Sequence, residues 1–386
     1  MTLLKLIFWT CAGLIVHTHV TYPLSLAALA RLRGPRDCSD DLATGGASAV
    51  QPEPHLPAVS LIIAAHDEAD VIAAKIDNAL ALDYPHELLE LIVASDGSTD
   101  STVEAAGIAG ADLVLDLPRA GKISAQNAAV ERARGEIVAF SDANSVWEGQ
   151  ALRELVAPFE AADVAYVCGQ VRFLDAAGDN EEGAYWHYEM AVRTLESSLA
   201  GVTAGNGAIY AVRRDAYEPL PPSRSHDLSF PFAFARAGKR SVYAPSARAE
   251  EKMVPTLEGE FERKRRMMRG LPDIVFADRM YELGRYEPLF AYQLASHRLL
   301  RYATPLLHAG AFASAALLAG RGRLYSFAFG LQLLILAAAA LAGSVPSRIL
   351  AIPRYYVLTT ASVALGCWDR LRQGPPAAWQ RSEGTR

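Results

Sequence analysis

Leu91-Ile92-Val93-Ala94-Ser95-Asp96-Gly97 and Ile137-Val138-Ala139-Phe140-Ser141-Asp142-Ala143-Asn144 decide the fold. Each is a short, continuous apolar run that stops at an aspartate, the pattern of a strand buried on both faces. Upstream, Val59 to Ala64 reads as another such strand and Asp70 to Leu82 as a helix. A helix capped near Ser98 to Asp100, a short strand at Asp112 to Asp116 and a helix from Ser124 to Ala133 fill the interval. Strands alternating with helices predict an α/β domain with a mainly parallel sheet. In such sheets ligands bind beyond the carboxyl ends of the strands, where Asp96 and Asp142 stand. Two carboxylates there suit a phosphate-bearing substrate held with a divalent cation.

Apolar stretches flank this domain. Hydrophobic residues make up 51% of the 386 residues, and the mean hydropathy is +0.11. Leu6 to Ala30 contains no charged side chain and is long enough for a bilayer span, despite Pro23. The competing reading is a cleaved signal peptide. Against it stand the length of the run and Arg31, Arg33 and Arg36 directly after it. Those arginines place the adjoining segment in the cytosol. The expected plan is an N-terminal span in 1–36, a linker in 37–57 and a catalytic domain in 58–270. Interfacial helices in 271–301, a membrane region in 302–372 and a tail in 373–386 complete it. Tyr302 to Gly320 and Leu324 to Val345 are the two clear C-terminal spans, while Tyr355 to Trp368 is either a further span or an interfacial segment.

Composition narrows the partners. A net charge of −6 excludes the basic field of a nucleic-acid binder. Cys11, Cys38, Cys168 and Cys367 lie too far apart for a zinc motif or a disulfide framework and read as small hydrophobes. No Gly-x-Gly-x-x-Gly follows the first strand, which argues against a dinucleotide-dependent redox enzyme.

From Pro57 to Gly270 the chain resembles the membrane-bound family 2 glycosyltransferases, an inverting group that includes polysaccharide synthases of the cellulose, poly-N-acetylglucosamine and hyaluronan type. The opening Val59 to Glu68, the block Tyr84-Pro85 with Glu90 to Asp100, and Gly121-Lys122 with Asn127 are similar to that family's ordered motifs. The resemblance implies a nucleotide-sugar-binding GT-A fold flanked by transmembrane helices. It implies donor contacts at Glu68, Asp96, Lys122 and Asp142, with Mg²⁺ or Mn²⁺ on Asp142 and Asn144. Here Asn144 stands where a second metal-binding carboxylate is usual. Asp227, in Ser225-His226-Asp227-Leu228, takes the place of the general base, and Arg266 that of an arginine on the leaving diphosphate. Trp186, Gly205, Asn206 and Gly207 resemble the acceptor side. Met267 replaces a tryptophan of the processive synthases, which favours a single addition over polymerisation.

The expected reaction is transfer from a UDP-sugar to a growing envelope glycan or a glycolipid in a bacterial plasma membrane. The alternatives are a single-sugar transferase acting on a lipid, or a catalytically silent assembly subunit. Expected partners are the donor, a glycan or lipid acceptor, membrane lipids and further subunits of a synthesis or export system.

Overall fold

The computed structural model describes residues 1–33, 56–174, 184–252, 256–345 and 348–374. Most of the expected linker and tail lies outside them. The chain forms two compact units. One is built around Ala28–Pro255 with Gly284–Phe290, the other from Met1–Ala27, Thr256–Leu283 and Ala291–Pro376.

The first unit is organised by an eight-stranded sheet. Its strands are β1 (Val59–Ala65), β2 (Leu89–Asp96), β3 (Leu113–Leu117), β4 (Ile137–Asp142), β5 (Val146–Trp147), β6 (Val164–Leu174), β7 (Ile209–Arg213) and β8 (Arg240–Lys252). The order across the sheet is β3-β2-β1-β4-β7-β6-β8-β5. β3, β2, β1 and β4 are parallel, β7 runs antiparallel to both neighbours, and β6 pairs parallel with β8. The mainly parallel sheet expected from the alternation of strands and helices is therefore present.

Helices cover both faces, which explains the continuous apolar runs. Leu61, Ile63, Leu91, Val93, Ile137 and Ala139 point to one face, against Ile72, Ile76, Ala106, Leu152 and Leu155. Ile62, Ile92, Ala94, Val138 and Phe140 point to the other, against Ala125, Ala129, Met190, Phe230 and Phe234. Because side chains alternate with period two, a slip of one residue would exchange the two cores.

A half-buried carboxylate fixes the entry into β4. Glu90 accepts from Ser60 Oγ at 2.5 Å, from the Arg134 backbone N–H at 2.9 Å and from Arg134 Nε at 2.6 Å. Burial pushes the Glu90 carboxyl up, but the Ser60 and Arg134 hydrogen bonds outweigh it and hold it below the usual range. Glu90 therefore stabilises the fold above about pH 4, and this contribution is lost as the pH falls through its folded value. Glu90→Gln is expected to cost about 1–2 kcal/mol at neutral pH. Denaturant unfolding should show that gap closing in acid, and a pH-independent gap would contradict the assignment.

The second unit is helical. Among the described residues, three helices are long and apolar enough to cross a membrane: Thr2–Arg33, Arg323–Leu341 and Ile349–Gln373. The stretch expected to span at 302–320 falls on the Leu300–Leu318 helix, which is not among those three. Arg301, Thr304, Pro305 and His308 lower its apolarity. Cys168 is buried, Cys11 and Cys367 are half-buried, and all three are free thiols.

Candidate active site

The carboxyl ends of β1, β2 and β4 form one rim. Register places Asp142 beside Ala64, and Ser95 beside Ala65. Asp96 and Asp142 thus flank β1, two strand spacings or about 10 Å apart, a separation that one nucleotide can bridge.

Asp96 is buried, and its carboxylate accepts from the backbone N–H groups of Ala120 at 2.6 Å and Gly121 at 2.9 and 3.0 Å. Gly121 has φ +97°, the left-handed region that glycine adopts without strain. The Lys122–Val130 helix starts at the next residue, and the Lys122 ammonium donates to Asp142. Asp96 therefore holds the loop that aims Lys122 across the rim. Glu68 is also buried. Its backbone N–H donates to Thr102 Oγ1 at 2.8 Å, and its carbonyl accepts from Val71 and Ile72. Asp67 has φ +53°, which aspartate tolerates better than most residues, and its carboxylate accepts from the Thr99 N–H at 2.7 Å.

Asp227 is the second residue of the His226–Arg236 helix. Burial raises the Tyr210 hydroxyl well above its ordinary pKa, and the negative charges of Asp227 and Asp142 add to that rise. Tyr210 also stands opposite Phe140, two residues before Asp142, and its hydroxyl meets the ring of His226, the neighbour of Asp227. The same helix begins with His226, whose pKa is lowered to about 3 by burial and by the nearby Lys122 charge. Its ring sits 2.7 Å (Nδ1) from the Tyr210 hydroxyl and 3.2 Å (Nε2) from that of Tyr217. Tyr217 donates its proton to Asn127 Oδ1 at 2.6 Å, so it accepts from Nε2–H, and Nδ1 accepts from Tyr210. His226 is thus a neutral strut beneath Asp227, not a second acid or base.

The Gly205-Asn206-Gly207 loop closes the cluster. Gly205 N–H donates to the Asp227 carbonyl at 2.8 Å, and a Cβ at Gly205 would stand 1.9 Å from the Tyr166 hydroxyl. Only glycine fits there. A Cβ at Gly207 would lie 3.7 Å from Lys122 Nζ, which brings this loop to the ion pair. Asn206 donates to the Gly169 carbonyl at 2.6 Å and accepts from Ala208 and Ile209, so its side chain shapes the loop. Trp186 packs edge-on against Phe173, with centroids 5.0 Å apart, and its buried indole N–H has no hydrogen-bond partner among the described residues.

The structure thus brings Lys122, Asp142, Gly205, Gly207 and Asp227 together. Arg266 lies in the helical unit, on the Leu257–Met268 helix.

Among the described residues, no group of three or more His, Cys, Asp or Glu side chains could hold a metal. The Asp142 carboxylate and the Asn144 amide oxygen still suit a Mg²⁺-type ion. Such an ion takes one or two protein oxygens and completes its shell with substrate phosphates and water.

Sequence reasoning missed Lys75 and Asn78. Lys75 is only 3% exposed and donates to the Ser145 carbonyl at 2.7 Å. Asn78 Nδ2 donates to the Trp147 carbonyl, and its Oδ1 accepts from the Trp147 N–H, each at 2.9 Å. Together they clamp the turn beyond Asp142 and Asn144. A signal existed: Ile72, Lys75, Ile76 and Ala79 share the apolar spacing of one helix face, so the lysine had to be buried. Burial lowers its pKa to about 7, against the opposing pull of Asp142 and Glu251. The folded value lies below the unfolded one, so the unfolded chain binds more protons between about pH 7 and about pH 10. Wild-type stability should therefore rise relative to Lys75→Met across that window. A constant difference in unfolding free energy would refute a buried, depressed lysine.

Residues 60–242 match the family described as "Glycosyl transferase family 2". Glycosyltransferase AglE of Haloferax volcanii is 26% identical over 179 residues, covering 45% of this chain and 58% of that protein. A beta-monoglucosyldiacylglycerol synthase of Nostoc sp. is 29% identical over 177 residues, 42% of this chain and 37% of the enzyme. The chain thus spans less than two thirds of these relatives' length. Among solved structures, the mannosyltransferase PcManGT from Pyrobaculum calidifontis, in complex with GDP-Man and Mn²⁺, superposes with a TM-score of 0.71 at 25% identity. That match covers 95% of this chain and 99% of the other. Residues 60–242 thus resemble a family 2 glycosyltransferase domain, and the sheet that carries them has the GT-A fold.

Proposed function

We propose that this protein is a membrane-bound inverting glycosyltransferase that moves one sugar from a nucleoside-diphosphate donor to a hydroxyl of a lipid acceptor. One observation carries the reading: at the rim of the parallel strands the Gly205–Gly207 loop bonds to the Asp227 carbonyl and reaches Lys122, which pairs with Asp142. Single addition to a lipid is supported by Met267, exposed in place of an acceptor-packing tryptophan, and by the glycolipid synthase among the relatives.

Asp227 takes the proton from the acceptor hydroxyl as that oxygen attacks the anomeric carbon. The carbon–oxygen bond to the diphosphate breaks as the new glycosidic bond forms on the opposite face, so configuration inverts. His226 remains neutral and leaves Asp227 as the base. Lys122 compensates charge on the departing diphosphate, and Arg266 is assigned the same task on the strength of its sequence motif. Asp96 and Glu68 order the loops that receive the nucleoside. Trp186 and the Gly205–Gly207 backbone bound the acceptor side, where an aromatic face and close backbone approach suit a sugar or headgroup. A divalent ion, Mg²⁺ or the Mn²⁺ bound by PcManGT, would be held by Asp142 and Asn144 and would neutralise the diphosphate oxygens. The catalytic unit faces the cytosol, where nucleotide sugars are supplied.

Purified protein in lipid should release nucleotide from one member of a panel of UDP- and GDP-sugars only when a lipid acceptor is present. Asp227→Asn should lower turnover by about 10²- to 10⁴-fold while donor affinity stays within about threefold. A single glycolipid band supports one addition, and a ladder of products would replace it with polymer synthesis. Equal turnover of wild type and Asp227→Asn would remove Asp227 as the base. Gly205→Ala, which drives a methyl into Tyr166, should lower turnover on the order of 100-fold through displacement of the loop bonded to Asp227.

A further inference from the structure

The Arg348–Gln373 helix is apolar enough to cross a bilayer, yet its neighbour argues otherwise. The Leu257–Met268 helix carries Glu258, Glu260, Glu262, Arg263, Lys264, Arg265 and Arg266 within twelve residues. It lies along the Arg348–Gln373 helix in the same direction. Near the start, Arg354 pairs with Glu258. One to two turns on, Lys264 donates to Tyr355 at 2.7 Å and to Thr359 at 3.2 Å and sits 4.4 Å over the Tyr355 ring. Farther along, Arg265 makes a bidentate pair with Asp369 at 2.7 and 3.0 Å, and Arg370 reaches Asp273 at 2.9 Å. Gly366 allows close approach, since a Cβ there would stand 2.6 Å from the Arg265 carbonyl oxygen.

These contacts run from Arg354 to Asp369, about 22 Å of helix at about 1.5 Å per residue. The hydrocarbon layer is only about 30 Å thick. A crossing helix would therefore carry the Arg354–Glu258 and Arg265–Asp369 pairs, about 22 Å apart along it, into that layer together with the other charges of its neighbour, which membranes do not accommodate outside a water-filled path. The opposite side of the helix bears Leu365, Trp368 and Leu371, which are 38%, 51% and 76% exposed. Arg372 lies 5.0 Å from the Trp368 ring, a cationic and aromatic pairing suited to the headgroup level.

We infer that the Arg348–Gln373 helix does not cross the membrane but lies along its surface, with Leu365, Trp368 and Leu371 seated among lipid headgroups and the charged Leu257–Met268 helix on its aqueous side. The partner of this face is the bilayer interface. The inference rests on the proposed membrane location and is independent of the transfer reaction.

Sidedness tests it. In full-length protein whose Cys11, Cys38, Cys168 and Cys367 are replaced by alanine, single cysteines are placed at Arg321, Ser344 and Gln373. A membrane-impermeant thiol reagent is then applied to sealed vesicles of known orientation. Arg321→Cys and Ser344→Cys should label from opposite sides, because the Arg323–Leu341 helix separates them, and Gln373→Cys should label with Ser344→Cys. Labelling of Gln373→Cys with Arg321→Cys overturns the inference. Labelling of all three from one side overturns both it and the membrane reading of the Arg323–Leu341 helix, while leaving the enzymatic assay untouched. Depth supplies a second measurement. Fluorophores at Leu350→Cys, Leu365→Cys and Leu371→Cys should be quenched to the same extent by lipids brominated near the headgroup. A crossing helix would separate the first and last by about 31 Å at about 1.5 Å per residue and place one of the three deep in the hydrocarbon.

Discussion

A buried carboxylate that must find hydrogen-bond donors organises the site. Asp96 ends a strand inside the protein, where an unpaired charge would be prohibitively costly. Its demand is met by the N–H groups of Ala120 and Gly121, and meeting it sets the path of the chain into the next helix. Lys122 is the first residue of that helix, so its reach to Asp142 follows from the capture of the loop by Asp96. Charge, loop geometry and helix start are thus one arrangement.

The acceptor side obeys the same logic with neutral groups. His226 is enclosed by Phe140, Tyr210, Tyr217 and Phe230, and its two nitrogens are used by two phenols. A chain of hydrogen bonds from Asn127 through Tyr217 and His226 to Tyr210 links the helix that begins at Lys122 to the helix that carries Asp227. Gln126 extends it by donating to Tyr210 at 3.2 Å. Such a network fixes the start of the helix that carries Asp227. On the far side of β4, Lys75 and Asn78 do for the Asp142 turn what His226 does for Asp227.

Charge ties helices of the second unit together. The Leu257–Met268 helix needs water on at least one side, and its ion pairs with Arg354 and Asp369 bind it to an otherwise apolar neighbour. Hydropathy along one helix cannot register this, because the constraint comes from the charges of another.

From Val59 to Asp142, the residues alone determined strand positions, the parallel sheet and the carboxylates at its rim. Burial on both faces leaves an unbroken apolar run, and a strand end leaves an aspartate, so the signal is local. Lys122, Asp142 and Asp227 were legible as candidates through ordered motifs. Only tertiary structure decided that Gly205 must yield to Tyr166, that Asn206 is committed to backbone, that His226 is an uncharged strut and that Lys75 braces the Asp142 turn. Each of these joins residues between 16 and 70 positions apart, or depends on a side chain's neighbours in space. Periodicity reports which face of an element is buried. Which partner waits on that face is settled only when the chain closes on itself.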